Sequence, residues 1–257
     1  MYLTQKLAPR QKTLQLQVGR TRIPRILLGT SPFIGAGQFG ARAAQYYSLF
    51  GENPTEISKM ICRAFGIGFT GIQALSHPSI YEAIKLAEEN LEERIIVIGT
   101  VGPEEPSADI KNLQDFETEA MLLHGQITDE RNIERISKLL EEIRLSGCLA
   151  GLATHSPYST LMWLLGAKLD FDILMMPFNR LGMFMDADPL KIVEVVKKID
   201  KPIIGKKILA AGRLQVSDAL NYVVEQNCID IVALGVASER EAEETFEAAM
   251  NAYASIS

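Results

Sequence analysis

The chain has 257 residues, 47% of them hydrophobic, 23% charged and 7% aromatic, an ordinary soluble globular composition with ample material for a core. A net charge of -6 argues against a nucleic-acid or anionic-membrane partner, because phosphate binding needs clustered Lys and Arg. No segment reaches the roughly 20 apolar residues that span a bilayer, residues 1–12 lack the apolar core of a leader, and the distant Cys62, Cys148 and Cys228 fit reduced thiols of a cytoplasmic protein.

In chain order, residues 13–24 (TLQLQVGRTRIP) alternate apolar and polar around Gly19 and predict a β-hairpin closing the bottom of the fold. The run 26–29 (ILLG) is the first of eight that read as buried strands. The others are 71–75, 95–99, 120–124, 149–153, 172–176, 202–206 and 230–235. They are continuously apolar rather than alternating, as parallel strands covered on both faces are. Residues 30–53 form an unusually long first connection, rich in Gly and aromatics, and suit a substrate lid.

Helix starts are legible between the strands. Asn53-Pro54, Ser156-Pro157 and Asp188-Pro189 each set a capping residue before a proline at the first helical position. Ser238 and Glu241 read as a capping box opening the last helix. Within 129–146, Ile133, Ile136, Leu139, Leu140 and Ile143 make one apolar stripe. The third helix, in 104–119, has the poorest period. The series predicts an α/β fold, a single (β/α)8 TIM barrel over residues 1–257 with an N-terminal β-hairpin.

The hairpin followed by RILLGTSPF resembles the start of the aldo-keto reductase family. The likeness continues in order through LLHG, GLATHSP, MMPFN, KKILAAGRL and ALGVASEREAEETFEAA, across roughly residues 13–250. The resemblance implies a barrel that reduces carbonyls with NADP(H), using an Asp, Tyr, Lys and His set. His124 falls on the His position. Gln73 stands where the Asp belongs, and the first Asp in the chain is Asp109. The Lys belongs near Thr100 or Val101, but no Lys lies between Lys85 and Lys111. Ser76 and His77 stand where the Tyr is due, and Tyr81 falls inside the next helix. Without that Asp and Lys, the tuning of a tyrosine to donate a proton near neutral pH is lost. For the cofactor, the resemblance implies Phe178 against the nicotinamide and Ser238 with Arg240 on a phosphate at a helix start. The amide-gripping pair aligns with Ala153-Thr154.

All three histidines of the chain fall at carboxyl ends of predicted strands, the catalytic end of such barrels. His77, His124 and His155 with an open fourth position would hold a divalent metal such as Zn²⁺ and lower the pKa of its water, with Glu104 as a nearby carboxylate. The same set without metal would serve acid/base chemistry on a carbonyl or sugar-like compound. Each histidine read singly is more often a cap or a core residue. Strand alternation turns one of Lys206 and Lys207 into the barrel, as Schiff-base nucleophile, carbonyl polariser or phosphate anchor, and Lys207 is the one placed in the site. Gln73, His77, His124 and Lys207 are the expected catalytic residues. His155, Phe178, Asn179, Arg213, Ser238 and Arg240 are the expected cofactor-binding residues. Met183, Phe184 and Met185 read as a pocket wall, an oligomer contact or plain loop packing. The functions open at this point are a mechanistically divergent carbonyl or sugar enzyme, an NADP(H)-dependent oxidoreductase, a metal-dependent lyase, isomerase or hydrolase, and an inactive ligand-binding barrel.

Overall fold

The computed structural model describes residues 14–254. The expectation of no leader in residues 1–12 therefore lies outside the described residues. The hairpin is present, with β1 (Gln15–Val18) paired antiparallel to β2 (Thr21–Pro24). Gly19 takes the positive φ of 59° that the two-residue turn requires. All eight predicted strands then form. They are β3 (Ile26–Gly29), β4 (Gly71–Ala74), β5 (Ile96–Val101), β6 (Glu117–Leu123), β7 (Leu149–Ala153), β8 (Ile173–Pro177), β9 (Ile203–Lys206) and β10 (Ile231–Gly235). Every neighbouring pair is parallel, and β10 returns to β3 to close the barrel.

Between the first two barrel strands the long connection is helical rather than irregular. Two 3₁₀ turns, Ser31–Ile34 and Gly37–Phe39, lead into α1 (Ala41–Phe50), followed by α2 (Pro54–Ile67). The rest are α3 (Pro78–Leu91), α4 (Pro106–Leu113), α5 (Gly125–Asp129), α6 (Ile133–Leu145), α7 (Pro157–Leu164), α8 (Pro189–Val196), α9 (Val216–Gln226) and α10 (Glu239–Ala254). None of the helices among the described residues is long and apolar enough to cross a membrane.

The prolines start the helices as predicted, and two of the three predicted caps form. Asn53 Oδ1 accepts from Glu56 N, and Asp188 Oδ1 from Leu190 N, while Ser156 precedes α7 without a side-chain cap. The helix read over 129–146 forms as α6, starting at Ile133. Arg131 sits at φ 58°, and Asn132 then caps α6 through Arg135 N. Ile136, Leu139, Leu140 and Ile143 of the stripe are buried, each contributing about 1.5–3 kcal/mol. Ile133, the first residue of α6, is half exposed.

Strand alternation sorts side chains into two cores. Outward-facing Ile26, Leu28, Ile72, Val97, Leu123 and Leu174 pack under the helices. Inward-facing Leu27, Ile98, Ala120, Leu122, Ile173, Met175, Ile204, Ile231 and Ala233 fill the barrel, joined by Val18 and Ile23 of the hairpin. The hairpin therefore plugs the amino-terminal end. The interior ends on the other side in a cavity of about 630 Å³.

Candidate functional site

The inward phase of each strand, carried to its carboxyl end, reaches Gln73, Thr100, His124, Ala153, Met175 and Lys206, and all six line the cavity. The first connection supplies a wall of its own, with Ile34, Phe39, Arg42 and Tyr46. Arg42 donates to the carbonyl oxygens of Ala211 (2.8 Å) and Gly212 (3.5 Å), tying α1 across the mouth to the loop after β9.

His124 and His155 meet edge to face, with ring centroids 5.0 Å apart. They come together because β6 and β7 are neighbours, with His124 directly after β6 and His155 two residues past β7. His124 N continues the ladder to Val101 O (2.9 Å). Its Nδ1 accepts from Gln126 N (3.2 Å), so the neutral ring carries its proton on Nε2. His155 is held through its backbone, which donates to Asp129 Oδ2 (2.9 Å). Asp129 Oδ1 accepts from the hydroxyls of Thr154 (2.5 Å) and Thr160 (2.8 Å), so one carboxylate clamps the end of β7 to the start of α7. Burial, then Lys206, pushes both imidazoles below the usual histidine range, His155 to about 4. Both are neutral at pH 7.

Lys206 is the lysine that faces inward, in phase with Ile204. Desolvation, and next the Lys207 charge, pushes its amine from 10.5 down to about 7. Among the described residues it has no ion pair with a carboxylate. Lys207 was expected in this role. It leaves the strand at φ 58°, lines the cavity wall and sets its Nζ 4.8 Å from the centre of the Phe184 ring. Ala210 (φ 48°) and Ala211 (φ 56°) follow in the same left-handed region. Backbone strain of roughly 1–2 kcal/mol per residue is thus concentrated in the loop that starts at Lys207, directly after Lys206.

Gln73 is buried and donates from Nε2 to Thr100 Oγ1 (2.8 Å), a neutral pair where the family resemblance implies charged groups. Tyr81 lies in α3, stacked on Phe116, and burial pushes its hydroxyl up to about 12, away from a proton donor's range. His77 caps α3, its Nδ1 accepting from Ser79 N (3.3 Å), and it is not among the residues lining the cavity. Glu104 is exposed and also outside it. Among the described residues no three His, Cys, Asp or Glu side chains are grouped to hold a metal ion. The trio His77, His124 and His155 is not brought together, because β5 separates β4 from β6 and His77 turns back onto its own helix.

Of the expected cofactor residues, only His155 lines the cavity. Phe178 is fully buried and stacks on Tyr222 at 5.8 Å. Asn179 organises the next loop, donating to the carbonyls of Met183 and Lys207 and accepting from Leu181 N and Met183 N. That pinning makes the Met183–Met185 run half-buried loop packing, with Met185 against the core. Arg213 is exposed and bonds Ala210 O, and Arg240 is exposed. Ser238 caps α10 by accepting Glu241 N (3.2 Å), while Glu241 Oε2 takes the Ala237 N–H (2.8 Å). Glu241 and Glu244 line the cavity at this helix start. A phosphate there would meet two carboxylates and an amide already taken. The residues present do not fit NADP(H) held as the resemblance implies.

Three features of the site had weaker sequence signals or none. Lys206 was distinguishable from Lys207 only by exact strand phase. Asp129 was legible only as a helix residue. Gly125 carries no chemistry, but a Cβ there would lie 2.6 Å from His155 Nδ1 and 2.8 Å from Cε1. In Gly125→Ala the imidazole must swing aside while the backbone stays. We expect its titration, followed by NMR of the ring, to rise from about 4 toward the ordinary histidine value. An unchanged His155 titration in the folded variant would contradict that packing.

Comparison with known proteins finds no matching family profile and no matching curated relative. Solved structures do match. PA4992 from Pseudomonas aeruginosa, a provisionally described aldo-keto reductase, superimposes with a TM-score of 0.68 at 18% identity, over 98% of this chain and 100% of that one. The holo form of aldo-keto reductase AKR11C1 from Bacillus halodurans gives 0.65 at 14% identity, over 92% and 90%. The thermostable aldo-keto reductase Tm1743 in complex with the inhibitor epalrestat gives 0.59 at 16% identity, over 92% and 94%. The chain has the aldo-keto reductase fold, as its ordered motifs implied.

Proposed function

We propose that this barrel is an enzyme acting on a small polar carbonyl or sugar-like compound at the carboxyl face, by a mechanism other than the Asp/Tyr/Lys/His reduction. The observation that carries the reading is the neutral imidazole pair, 5.0 Å apart, facing the cavity that Lys206 also lines. A neutral imidazole with its proton on Nε2 donates to a carbonyl oxygen, and its neighbour accepts a proton from the adjacent carbon. The cavity of about 630 Å³ is within the range of small-molecule sites. The wall formed by residues 30–53 would act as the lid, held down by Arg42.

The test is exchange of the α-protons of hydroxyacetone, dihydroxyacetone and glycolaldehyde in deuterated water, followed by NMR. Catalysed exchange without any nucleotide is expected, and His124→Ala should slow it by about 10²-fold or more. NADPH, titrated by fluorescence, should show no saturable binding, since Glu241 and Glu244 oppose its phosphate. Saturable NADPH binding with no nucleotide-free exchange would return the chain to reductase chemistry. A compound that binds without exchanging would make it a ligand-binding barrel.

A further inference from the structure

Resting on the carbonyl reading just given, we propose that Lys206 is a covalent residue, forming an imine with the carbonyl carbon of an aldehyde or ketone bound in the cavity. Three observations converge on it. Its position at the carboxyl end of β9, in the inward phase, places the side chain within the chamber rather than at the rim. It has no carboxylate partner among the described residues, the usual device for keeping an ammonium ion charged inside a protein. Two imidazoles able to carry protons line the same chamber.

Lys207 acts as a second cation beside it. Both lysines carry a positive charge only at a cost, and burial is the larger part of that cost. The groups facing Lys206 are His124, His155, Lys207 and Asp129. Only Asp129 favours the charged amine, and its oxygens are engaged by Thr154, Thr160 and the backbone of His155. The amine that results is a nucleophile at neutral pH.

The step needs no oxidant. The Lys206 nitrogen forms a bond to the carbonyl carbon while one of its protons passes to the carbonyl oxygen, giving a carbinolamine. A second proton from nitrogen goes to that oxygen, the C–O bond breaks, and water leaves as the C=N bond forms. His124 and His155 carry both protons. Protonated once more, the imine draws electrons from the neighbouring carbon and so eases loss of an α-proton.

The test is reductive trapping. The full-length protein is incubated near pH 7 with hydroxyacetone or dihydroxyacetone and sodium cyanoborohydride, and modified lysines are mapped by peptide mass spectrometry. At that pH an amine with the value of Lys206 is neutral about a thousandfold more often than an ordinary lysine. Lys206 should therefore carry the adduct, the mass of the probe less one oxygen, at least about tenfold ahead of any other lysine. It should disappear in Lys206→Met, which remains folded by thermal melting. Adducts spread over surface lysines with Lys206 unmodified would overturn the proposal. Persistent α-proton exchange in the wild type and in Lys206→Met, with no Lys206 adduct, would overturn the imine and leave the carbonyl reading standing. Absence of both exchange and adduct would remove both.

Discussion

Lys206→Met is expected to melt at a higher temperature than the wild-type protein at neutral pH. A lysine whose amine falls from 10.5 in the unfolded chain to about 7 in the barrel opposes folding wherever the unfolded chain holds the proton more tightly. The full displacement corresponds to on the order of 4–5 kcal/mol, and contact with water in the cavity reduces it to roughly 3 kcal/mol. The penalty is complete below about pH 7, where both states are protonated. It shrinks as pH rises and vanishes near the ordinary lysine value, where both are neutral. Methionine has similar length and no charge, so the variant escapes the penalty while filling the space. At about 2–4 °C per kcal/mol for a domain of this size, Tm should rise by roughly 6–12 °C at pH 7, and the gain should fade by pH 10. A variant that melts lower, or whose advantage ignores pH, would show that Lys206 is solvated as an ordinary ammonium. A gain in stability with loss of trapping is the trade expected of a functional residue.

Gly151→Val is expected to cost about 3 kcal/mol or more and to leave little folded protein. Gly151 is the central inward position of β7, and a Cβ there would run into Leu122 Cδ2, with Ile173 Cγ2 at 2.7 Å and Ile173 O at 2.8 Å. Leu122 has room to reach across the interior only because its neighbour on β7 has no side chain. The strand backbone cannot retreat without breaking its pairing with β6 and β8. Circular dichroism and urea unfolding check the prediction. A variant within about 0.5 kcal/mol of wild type would mean that the interior is less closely packed than this account holds.

Much of the fold was legible because its signals are local and repeated. Eight apolar runs, the Pro-marked helix starts and the Gly19 turn each follow from short-range chemistry, and each appears where it was predicted. The first connection was read as a loop because its glycines dilute the helical period, yet Ala41–Phe50 folds as a helix once Phe33 and Phe50 pack at 5.2 Å. The site was legible only in part. His124 and His155 follow from strand adjacency, and Gln73 from strand phase. His77 had the same sequence signal, a histidine at a strand end, but capping geometry turns it onto α3. Lys206 and Lys207 differ by one residue, and the difference decides which faces the chamber. That depends on where β9 begins, at Ile203, and no composition or spacing reveals it. Ser238 and Arg240 were read as an anion grip. The capping box that gave Ser238 away also brings in Glu241, whose carboxylate occupies the amide.

The most direct measurement is the titration of isotope-labelled lysine side chains by NMR, with Lys206 assigned by its loss in Lys206→Met. One lysine should titrate near pH 7, far below the surface lysines. A Lys206 that titrates with the rest, above pH 10, would contradict a neutral amine in the chamber and the chemistry built on it.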